Sequence, residues 1–372
     1  MRFIATCKMG VESLTSLELK KLGINVLAVE DARVIFEGGF DEMAAACLWL
    51  RTAERVLLEV SVFKATTFEE LFEGVKRIDW RQYLRRDSFI HVTGKSAKST
   101  LFSVSDCQSI AKKAIVESLR SSYHTQILPE TGNRVIIEIG LLRDVVTVAL
   151  DCCGAGLSRR GYRTYNVDAP IAETLGAAIV MLSRYKPDIP LYDPMCGSGT
   201  MPIEAAMIAA NIAPGLNRTF AAESWHFLET FRFRIAREAA HDSIKPQASL
   251  PPIYGSDIDA RCIDLCKRHA KKAGVMLNWA VKPLSEFSPV HDGFGIIACN
   301  PPYGERLMDK KHVEKLYKEM HAKFEAHPNL SRNIITSNPD FEKVYGKADK
   351  RRNLTNGGMR CTLYSYFAKK DL

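Results

Sequence analysis

The chain has 372 residues, of which 46% are apolar and 25% are charged, and it carries a net charge of +8 at pH 7. A chain of this length is too long to fold around a single hydrophobic core, so two or three domains are expected. No apolar run approaches the length of about 20 residues that a membrane span needs. The moderate positive surplus permits binding to nucleic acid without indicating it, and ten cysteines without framework or zinc-site spacing indicate reduced thiols in the cytoplasm.

The first 62 residues alternate short strand-like and helix-like segments, which is typical of a small ferredoxin-like α+β domain. Residues 63–155 form a second unit of mixed strands and helix, and residues 156–166, which contain a run of arginines, are interpreted as a linker. We predict strands at residues 2–7, 24–29, 33–36, 88–93, 134–141 and 145–150, and helices at residues 11–22, 41–49 and 104–121.

From residue 167 to residue 372, short apolar strands alternate with helical segments. This alternation favours a parallel, doubly wound sheet, in which ligands bind beyond the carboxyl ends of the strands. The predicted strands are at residues 191–193, 253–257, 294–299 and 333–336. Two candidate ligand-binding motifs lie at such ends.

The first motif is a glycine-rich turn between the strand at residues 191–193 and an apolar helical pattern. Glycines let the backbone approach a ligand closely, and the free N–H groups of a helix start favour a carboxylate or a phosphate. A phosphate-binding Walker loop needs Lys where Thr200 stands, and a dinucleotide loop needs a third glycine where Pro202 stands. S-adenosylmethionine fits better, with its carboxylate at the helix start. The candidate contacts are Asp193, for the ammonium group, and Cys196, Gly197, Ser198, Gly199 and Thr200.

An acidic residue after the next strand should hold the ribose hydroxyls of such a cofactor. Asp257 is the better candidate and Asp259 the reserve. Both come later than the about 20 residues usual for a ribose-binding acid, so residues 211–252 are an insertion. The insertion is rich in aromatics and charges, and we interpret its Trp225 and Phe227 as core residues rather than as pocket lining.

The second motif, Asn300-Pro301-Pro302-Tyr303-Gly304, follows the apolar run at residues 294–299. Each proline fixes φ and removes a backbone donor, so carbonyl oxygens and the Asn300 side-chain oxygen remain as acceptors. Asn300 and the Pro301 carbonyl can hold the two hydrogens of an exocyclic amino group while Tyr303 stacks on the heterocycle. A proline-rich turn with no function is the alternative for this motif taken alone.

These motifs, in this order, resemble the THUMP-domain RNA methyltransferases that make N2-methylguanosine, above all the bacterial 23S rRNA enzymes and their Firmicute relatives. The N-terminal segments at residues 5–23 and 92–101 and the closing segment at residues 350–364 share the likeness. The resemblance implies a Rossmann-like class I methyltransferase domain at residues 167–372, preceded by a ferredoxin-like domain and an RNA-binding THUMP domain. It also implies S-adenosylmethionine as cofactor, with Thr174 and Glu286 as further contacts.

The expected reaction is methyl transfer to guanosine N2 in 23S rRNA. A transfer RNA guanine-N2 enzyme is the first alternative, because nothing in the catalytic half separates the two substrates. DNA adenine-N6 and protein glutamine-N5 methyltransferases use a similar amine-binding loop, but the RNA-binding resemblance of the N-terminal half disfavours both. A non-catalytic RNA-binding protein is disfavoured by the intact Gly197, Gly199, Asp257 and Asn300. We expect a monomer without a metal ion.

Overall fold

A computed structural model describes residues 1–163, 171–246, 250–303 and 310–368, which contain two seven-stranded sheets flanked by helices. The strands are β1 (Arg2–Cys7), β2 (Asn25–Glu30), β3 (Arg33–Glu37), β4 (Ala53–Lys64), β5 (Phe89–Ala97), β6 (Arg134–Leu142), β7 (Val145–Asp151), β8 (Leu191–Asp193), β9 (Ile253–Asp257), β10 (Asn278–Val281), β11 (Gly295–Cys299), β12 (Leu330–Thr336), β13 (Lys350–Asn356) and β14 (Met359–Tyr366). The helices are α1 (Glu12–Lys21), α2 (Phe40–Trp49), α3 (Phe68–Lys76), α4 (Val104–Ser122), α5 (Glu173–Leu182), α6 (Thr200–Ala209), α7 (Phe231–Asp242), α8 (Ala260–Ala273), α9 (Lys310–Glu325) and α10 (Phe341–Tyr345).

The N-terminal sheet has the strand order β2-β3-β1-β4-β7-β6-β5, with antiparallel neighbours except for the parallel pair β5 and β6. The 12-residue strand β4 pairs with β1 on one side and with β7 on the other. The ferredoxin-like and THUMP units therefore share one continuous sheet. Strand β4 also runs across residues 62 and 63, where the sequence predicts a domain boundary.

The C-terminal sheet has the order β10-β9-β8-β11-β12-β14-β13, in which the first five strands are parallel and the closing hairpin is antiparallel. Strands β8 and β11 are buried throughout, because α5, α6 and α8 cover one face of the sheet and α9 and α10 cover the other. The predicted fold class, a mostly parallel doubly wound sheet after a ferredoxin-like and THUMP region, is confirmed.

The middle of the insertion, residues 220–236, packs on the N-terminal half, whereas Ile212, Ile244 and Leu250 near its ends pack on the cluster of the catalytic sheet. Trp225 and Phe233 are buried in the same apolar cluster as the N-terminal strands, and the Phe227 ring meets the rings of Tyr83 and Phe40. Trp225 and Phe227 are thus core residues, as the sequence predicts. The insertion thus contributes to the hydrophobic core of the N-terminal half, while the two faces of the catalytic sheet have clusters of their own.

Buried charges join the same two halves. The Arg160 guanidinium, 2% exposed, donates to the carbonyls of Leu157 and Arg51 and lies 3.4 Å from the fully buried Glu204 carboxylate of α6. The Tyr162 hydroxyl also donates to Glu204, over 3.0 Å. Buried charges are tolerated only when they are paired. Truncation of the Arg160 side chain should therefore lower the stability of the protein.

Within the described residues, no helix is both long and apolar enough to cross a membrane, and no cluster of three or more His, Cys, Asp or Glu is arranged to hold a metal ion.

We predict that Arg160→Ala lowers the stability of the cofactor-free protein by about 3–5 kcal/mol, because the buried Glu204 would lose its ion-pair partner and keep only the more distant charge of Arg51. Urea denaturation followed by tryptophan fluorescence measures this loss. The control is Arg261→Ala, which removes the highly exposed partner of Asp259 and should leave the midpoint nearly unchanged. Equal urea midpoints for the two variants would contradict the predicted contribution of the buried Arg160–Glu204 pair to the stability of the protein.

Candidate active site

Three neighbouring parallel strands bring the predicted motifs to one edge of the C-terminal sheet. Asp193 ends β8 and Asp257 ends β9, and Asp193 is opposite Gly255 in the register of these strands. Strand β11 pairs with β8 on its other side, with Ile297 opposite Tyr192, so Asn300 emerges beside the glycine-rich turn. The two motifs therefore lie side by side at the ends of β8 and β11, where the strand order reverses, which is the position at which sheets of this kind bind ligands.

The glycine-rich turn depends on two left-handed glycines. Gly197 has φ +52° and Gly199 has φ +81°. A Cβ on Gly199 would lie 2.9 Å from both the Cys266 sulfur and the Trp279 ring, so no other residue fits there without displacement. Beside Gly197, by contrast, no atom lies within 4 Å of the position that a Cβ would occupy. The turn is thus closed toward the protein at Gly199 and open toward a ligand at Gly197.

Asp257 connects this turn to the end of β9. Its Oδ2 accepts a hydrogen bond from the Gly197 N–H over 2.9 Å, and its Oδ1 accepts one from the Asp259 N–H over 3.0 Å. Asp259 instead caps α8, and its hydrogen bonds with the Arg261 side chain and N–H lower the pKa of its carboxyl. The geometry therefore favours Asp257 over Asp259 as the acid that faces a ligand.

Asp193 is 2% exposed and receives a hydrogen bond from the Met195 N–H over 3.3 Å. Burial raises the pKa of its carboxyl well above the usual range, and the nearby charge of Asp257 adds to this effect. A cationic ligand group in contact with Asp193 would restore its ionised form. The ammonium group of S-adenosylmethionine is such a group, and its contact with Asp193 stays a prediction.

Cys196 and Ser198 are both buried within the glycine-rich turn. The Cys196 sulfur lies 3.8 Å from the Cys266 sulfur, and this contact, together with burial, raises the pKa of the Cys196 thiol well above its usual range. The buried Ser198 places its carbonyl 3.1 Å from His269 Nδ1 on α8. Both positions shape the turn, while direct contacts with a cofactor stay a prediction.

The sequence did not identify Arg163 as part of this site. One of its terminal nitrogens donates to the Thr200 hydroxyl over 2.5 Å and to the Ile171 carbonyl over 2.9 Å. Its Nε lies 3.4 Å from the Glu173 carboxylate. Arg163 thereby clamps the start of α5 to the start of α6. The arginine run in the predicted linker was the only sequence signal for it.

Thr174 lies in the first turn of α5 and is 1% exposed. Its hydroxyl donates to Glu54 Oε1 of the ferredoxin-like unit over 2.6 Å, so this hydroxyl is engaged with protein. Glu286 is exposed at the end of a short 3-10 helix, Leu284–Glu286, beside a small cleft lined by Trp279 and Phe287. Contacts of Thr174 and Glu286 with a cofactor remain predictions.

The Asn300 loop is anchored from two sides. Pro301 is buried, and the Pro302 carbonyl lies 3.5 Å from the hydroxyl of Tyr317 on α9. Tyr303 is half-buried against the core cluster that also includes Leu354 of the closing hairpin, and its hydroxyl donates to Asn300 Oδ1. Burial raises the pKa of Tyr303, which keeps its hydroxyl a donor. Gly304, the last residue of the predicted motif, lies outside the described residues, as do residues 164–170.

This loop differs in one respect from its expected role. The sequence predicts the Tyr303 ring as a stacking surface and Asn300 Oδ1 as a free acceptor. In the structure the Tyr303 hydroxyl already occupies one position on that oxygen. A carbonyl oxygen has two lone pairs, so a second donor can still bind to it.

Comparisons with known proteins agree with this architecture. Residues 2–57 match the RlmL ferredoxin-like domain, residues 65–151 the THUMP domain, and residues 160–365 the RMKL-like methyltransferase domain. The chain is 44% identical over 371 residues to YpsC of Bacillus subtilis, a protein assigned as an RNA methyltransferase. The alignment covers 98% of this chain and 96% of YpsC.

A second relative is the ribosomal RNA large subunit methyltransferase K/L of Cellvibrio japonicus, 31% identical over 394 residues. This match covers all of the chain but 52% of that protein, so the chain spans about half the length of the K/L relatives. Among solved structures, SMU.472, assigned as a methyltransferase and complexed with SAH, superposes with a TM-score of 0.93 at 40% identity, covering 100% of this chain and 99% of that one.

We predict that Asp257→Ala raises the Kd for S-adenosylhomocysteine by about tenfold or more, the size of one lost charge-assisted hydrogen bond. The variant loses both the proposed ribose contact and the anchor of the Gly197 N–H. Isothermal titration calorimetry measures the change. The matched control, Asp259→Ala, should shift Kd by less than about threefold, because its ion pair with Arg261 is exposed. A larger loss for Asp259→Ala would reverse the assignment of the two acids.

Proposed function

This chain belongs to the RMKL-like family of S-adenosylmethionine-dependent methyltransferases, and we propose that it methylates the exocyclic N2 of a guanosine in RNA. The observation that carries the proposal is the meeting of the glycine-rich turn after β8 with the Asn300 loop after β11 on adjacent parallel strands. A methyl donor bound at the first motif and an amine bound at the second would share one crevice. The THUMP domain, a module associated with RNA binding, supports RNA as the carrier of the amine.

The bound cofactor supplies an already activated methyl group, so the main task of the protein is to position the amine. Asn300 Oδ1 and the Pro301 carbonyl would accept the two N2 hydrogens and aim the nitrogen lone pair at the methyl carbon. The same hydrogen bonds would stabilise positive charge as it develops on nitrogen. Tyr303 would orient Asn300 through its hydroxyl and support the base with its ring. No strong base is needed, because the proton can leave after transfer.

A guanine inside a helical stem would have to turn out of its stack to reach this crevice, at a cost of a few kcal/mol. Stacking on an aromatic ring recovers about 1–3 kcal/mol of that cost. The half-buried Tyr303 is the described aromatic residue next to Asn300 that can offer such a surface.

Ribosomal RNA of the large subunit is the proposed substrate. Its support is the name of the K/L relatives, to which the whole chain aligns at 31% identity, although it covers about half of their length. Transfer RNA guanine-N2 is the alternative, and DNA adenine-N6 is less favoured because a THUMP domain precedes the catalytic domain. A cytoplasmic location belongs to the same proposal and fits the ten free cysteines.

Nucleoside mass spectrometry of separated rRNA, tRNA and DNA from a deletion strain tests the substrate. We expect N2-methylguanosine to decrease in the 23S rRNA fraction and to return when the gene is restored. Loss of N2-methylguanosine from tRNA alone would select the alternative. Loss of N6-methyladenine from DNA, with rRNA and tRNA unchanged, would refute the proposal.

We predict that Asn300→Ala abolishes methyl transfer and leaves the Kd for S-adenosylhomocysteine within about twofold of wild type, because the lost contacts are to the amine rather than to the cofactor. Transfer from radiolabelled S-adenosylmethionine to the identified RNA, together with calorimetry, measures both quantities. A parallel loss of cofactor affinity would contradict the assigned role of Asn300.

A further inference from the structure

The ferredoxin-like domain reaches the start of α5 through one side chain. Glu54, at the beginning of β4, accepts the Thr174 hydroxyl hydrogen on Oε1 over 2.6 Å. The same oxygen lies 3.3 Å from Lys8 Nζ. These residues form a chain from the loop after β1, through β4, to the first turn of α5. Its exposure is low, with 30% for the Glu54 side chain and 18% for the Lys8 side chain.

The first turn of α5 lies against the start of α6. A Cβ on Gly176, the fourth residue of α5, would be 2.9 Å from the Thr200 side chain, and Thr200 is the first residue of α6. Two helix N-termini, whose first N–H groups have no partner within the helix, therefore lie next to Gly199, and each carries a partial positive charge. The carboxylate of a cofactor bound at the glycine-rich turn would be stabilised there, so the position of α5 would affect the cofactor site.

The domains do not need Glu54 in order to stay together. The buried Arg160–Glu204 pair and the aromatic residues of the insertion already join the two halves. A partly buried ion pair is a weak source of stability, because desolvation offsets most of the attraction. The hydrogen bond between Glu54 and Thr174 is therefore better explained by the positioning of α5 than by a contribution to the stability of the fold.

The loop that carries Lys8 is itself fixed against the catalytic domain. Arg352 of β13 donates to the Gly10 carbonyl over 2.8 Å. Gly10 has φ +86°, and a Cβ there would lie 2.5 Å from the Asn353 carbonyl oxygen, so the loop fits closely against β13. Two contacts with the catalytic domain, at Gly10 and at Thr174, thus hold the pair Lys8 and Glu54 in place.

We propose that Glu54 and Lys8 are positioning residues for the cofactor: Glu54 holds the first turn of α5 against the glycine-rich turn, and Lys8 neutralises the Glu54 charge. Without Lys8, a carboxylate would stand close to the place where the anionic end of the cofactor binds. The ferredoxin-like domain is then a working part of the methyl-donor site as well as a support for the THUMP domain. The proposal rests on S-adenosylmethionine dependence and not on the identity of the target base.

The test uses the full-length protein and S-adenosylhomocysteine in calorimetry. Thr174→Val and Glu54→Ala should each raise Kd by about tenfold. The Kd of the double variant should not exceed the larger of the two single-variant values, because both substitutions remove the same hydrogen bond. Thr174→Ser and Glu54→Gln keep the donor and the acceptor, so they should stay within about threefold of wild type. Lys8→Met should weaken binding, and more so at low ionic strength.

The matched control is Glu59→Ala on the same strand, whose partner in an ion pair of 3.1 Å is Arg2. It should leave Kd unchanged. Thermal unfolding of each cofactor-free variant separates folding from binding. Unchanged Kd in Thr174→Val and Glu54→Ala, with or without a lower melting temperature, would overturn the proposal and leave Glu54 a structural contact.

These measurements contain no RNA, so their outcome is independent of the substrate test. Normal cofactor binding in the Thr174 and Glu54 variants would refute the positioning role while leaving the proposed guanosine reaction intact. Conversely, an error in the target base would leave the calorimetric result unaffected.

Discussion

The parallel pairing of β8 with β11 is the constraint on which the rest of the structure depends. The chain passes through β9 and β10 on one side of β8 before it returns to place β11 on the other side. The segments after β8 and after β11 therefore leave their strands toward opposite faces, and a crevice remains between them. The glycine-rich turn and the Asn300 loop follow these two strands, so the proposed site depends on the register of β8 and β11.

Within the crevice, burial controls charge. Burial, with the nearby charge of Asp257, raises the pKa of Asp193, whereas Asp257 accepts hydrogen bonds from two backbone N–H groups. A ligand with an ammonium group and hydroxyl groups complements this pair, because the cation favours the ionised form of Asp193 and the hydroxyls can donate to Asp257. The thiol of Cys196 stays neutral next to Cys266 and contributes shape rather than charge. In the proposed site, the preference for this cofactor would follow from where each of these groups is buried.

Local patterns predict much of this molecule, and contacts between distant segments account for what they miss. Short apolar runs locate β8 and β9 at their observed bounds, and left-handed glycines mark the turn because sterics leave few other residues for it. The sequence does not predict that β4 joins two units into one sheet, because the apolar pattern of a strand does not indicate which strands it pairs with. The bond between Thr174 and Glu54 joins residues 120 positions apart, and no local signal announces it.

The aromatic insertion has a mechanical consequence. Its side chains are embedded in the core of the N-terminal half while its ends belong to the catalytic sheet, so the two halves cannot hinge freely about the short connecting segment. An RNA gripped by the THUMP domain would meet a catalytic crevice at a set span and angle. The distance between the THUMP domain and the catalytic site would then be nearly fixed. The three-dimensional shape of the RNA around a nucleotide, more than the sequence next to it, would decide whether that nucleotide is methylated.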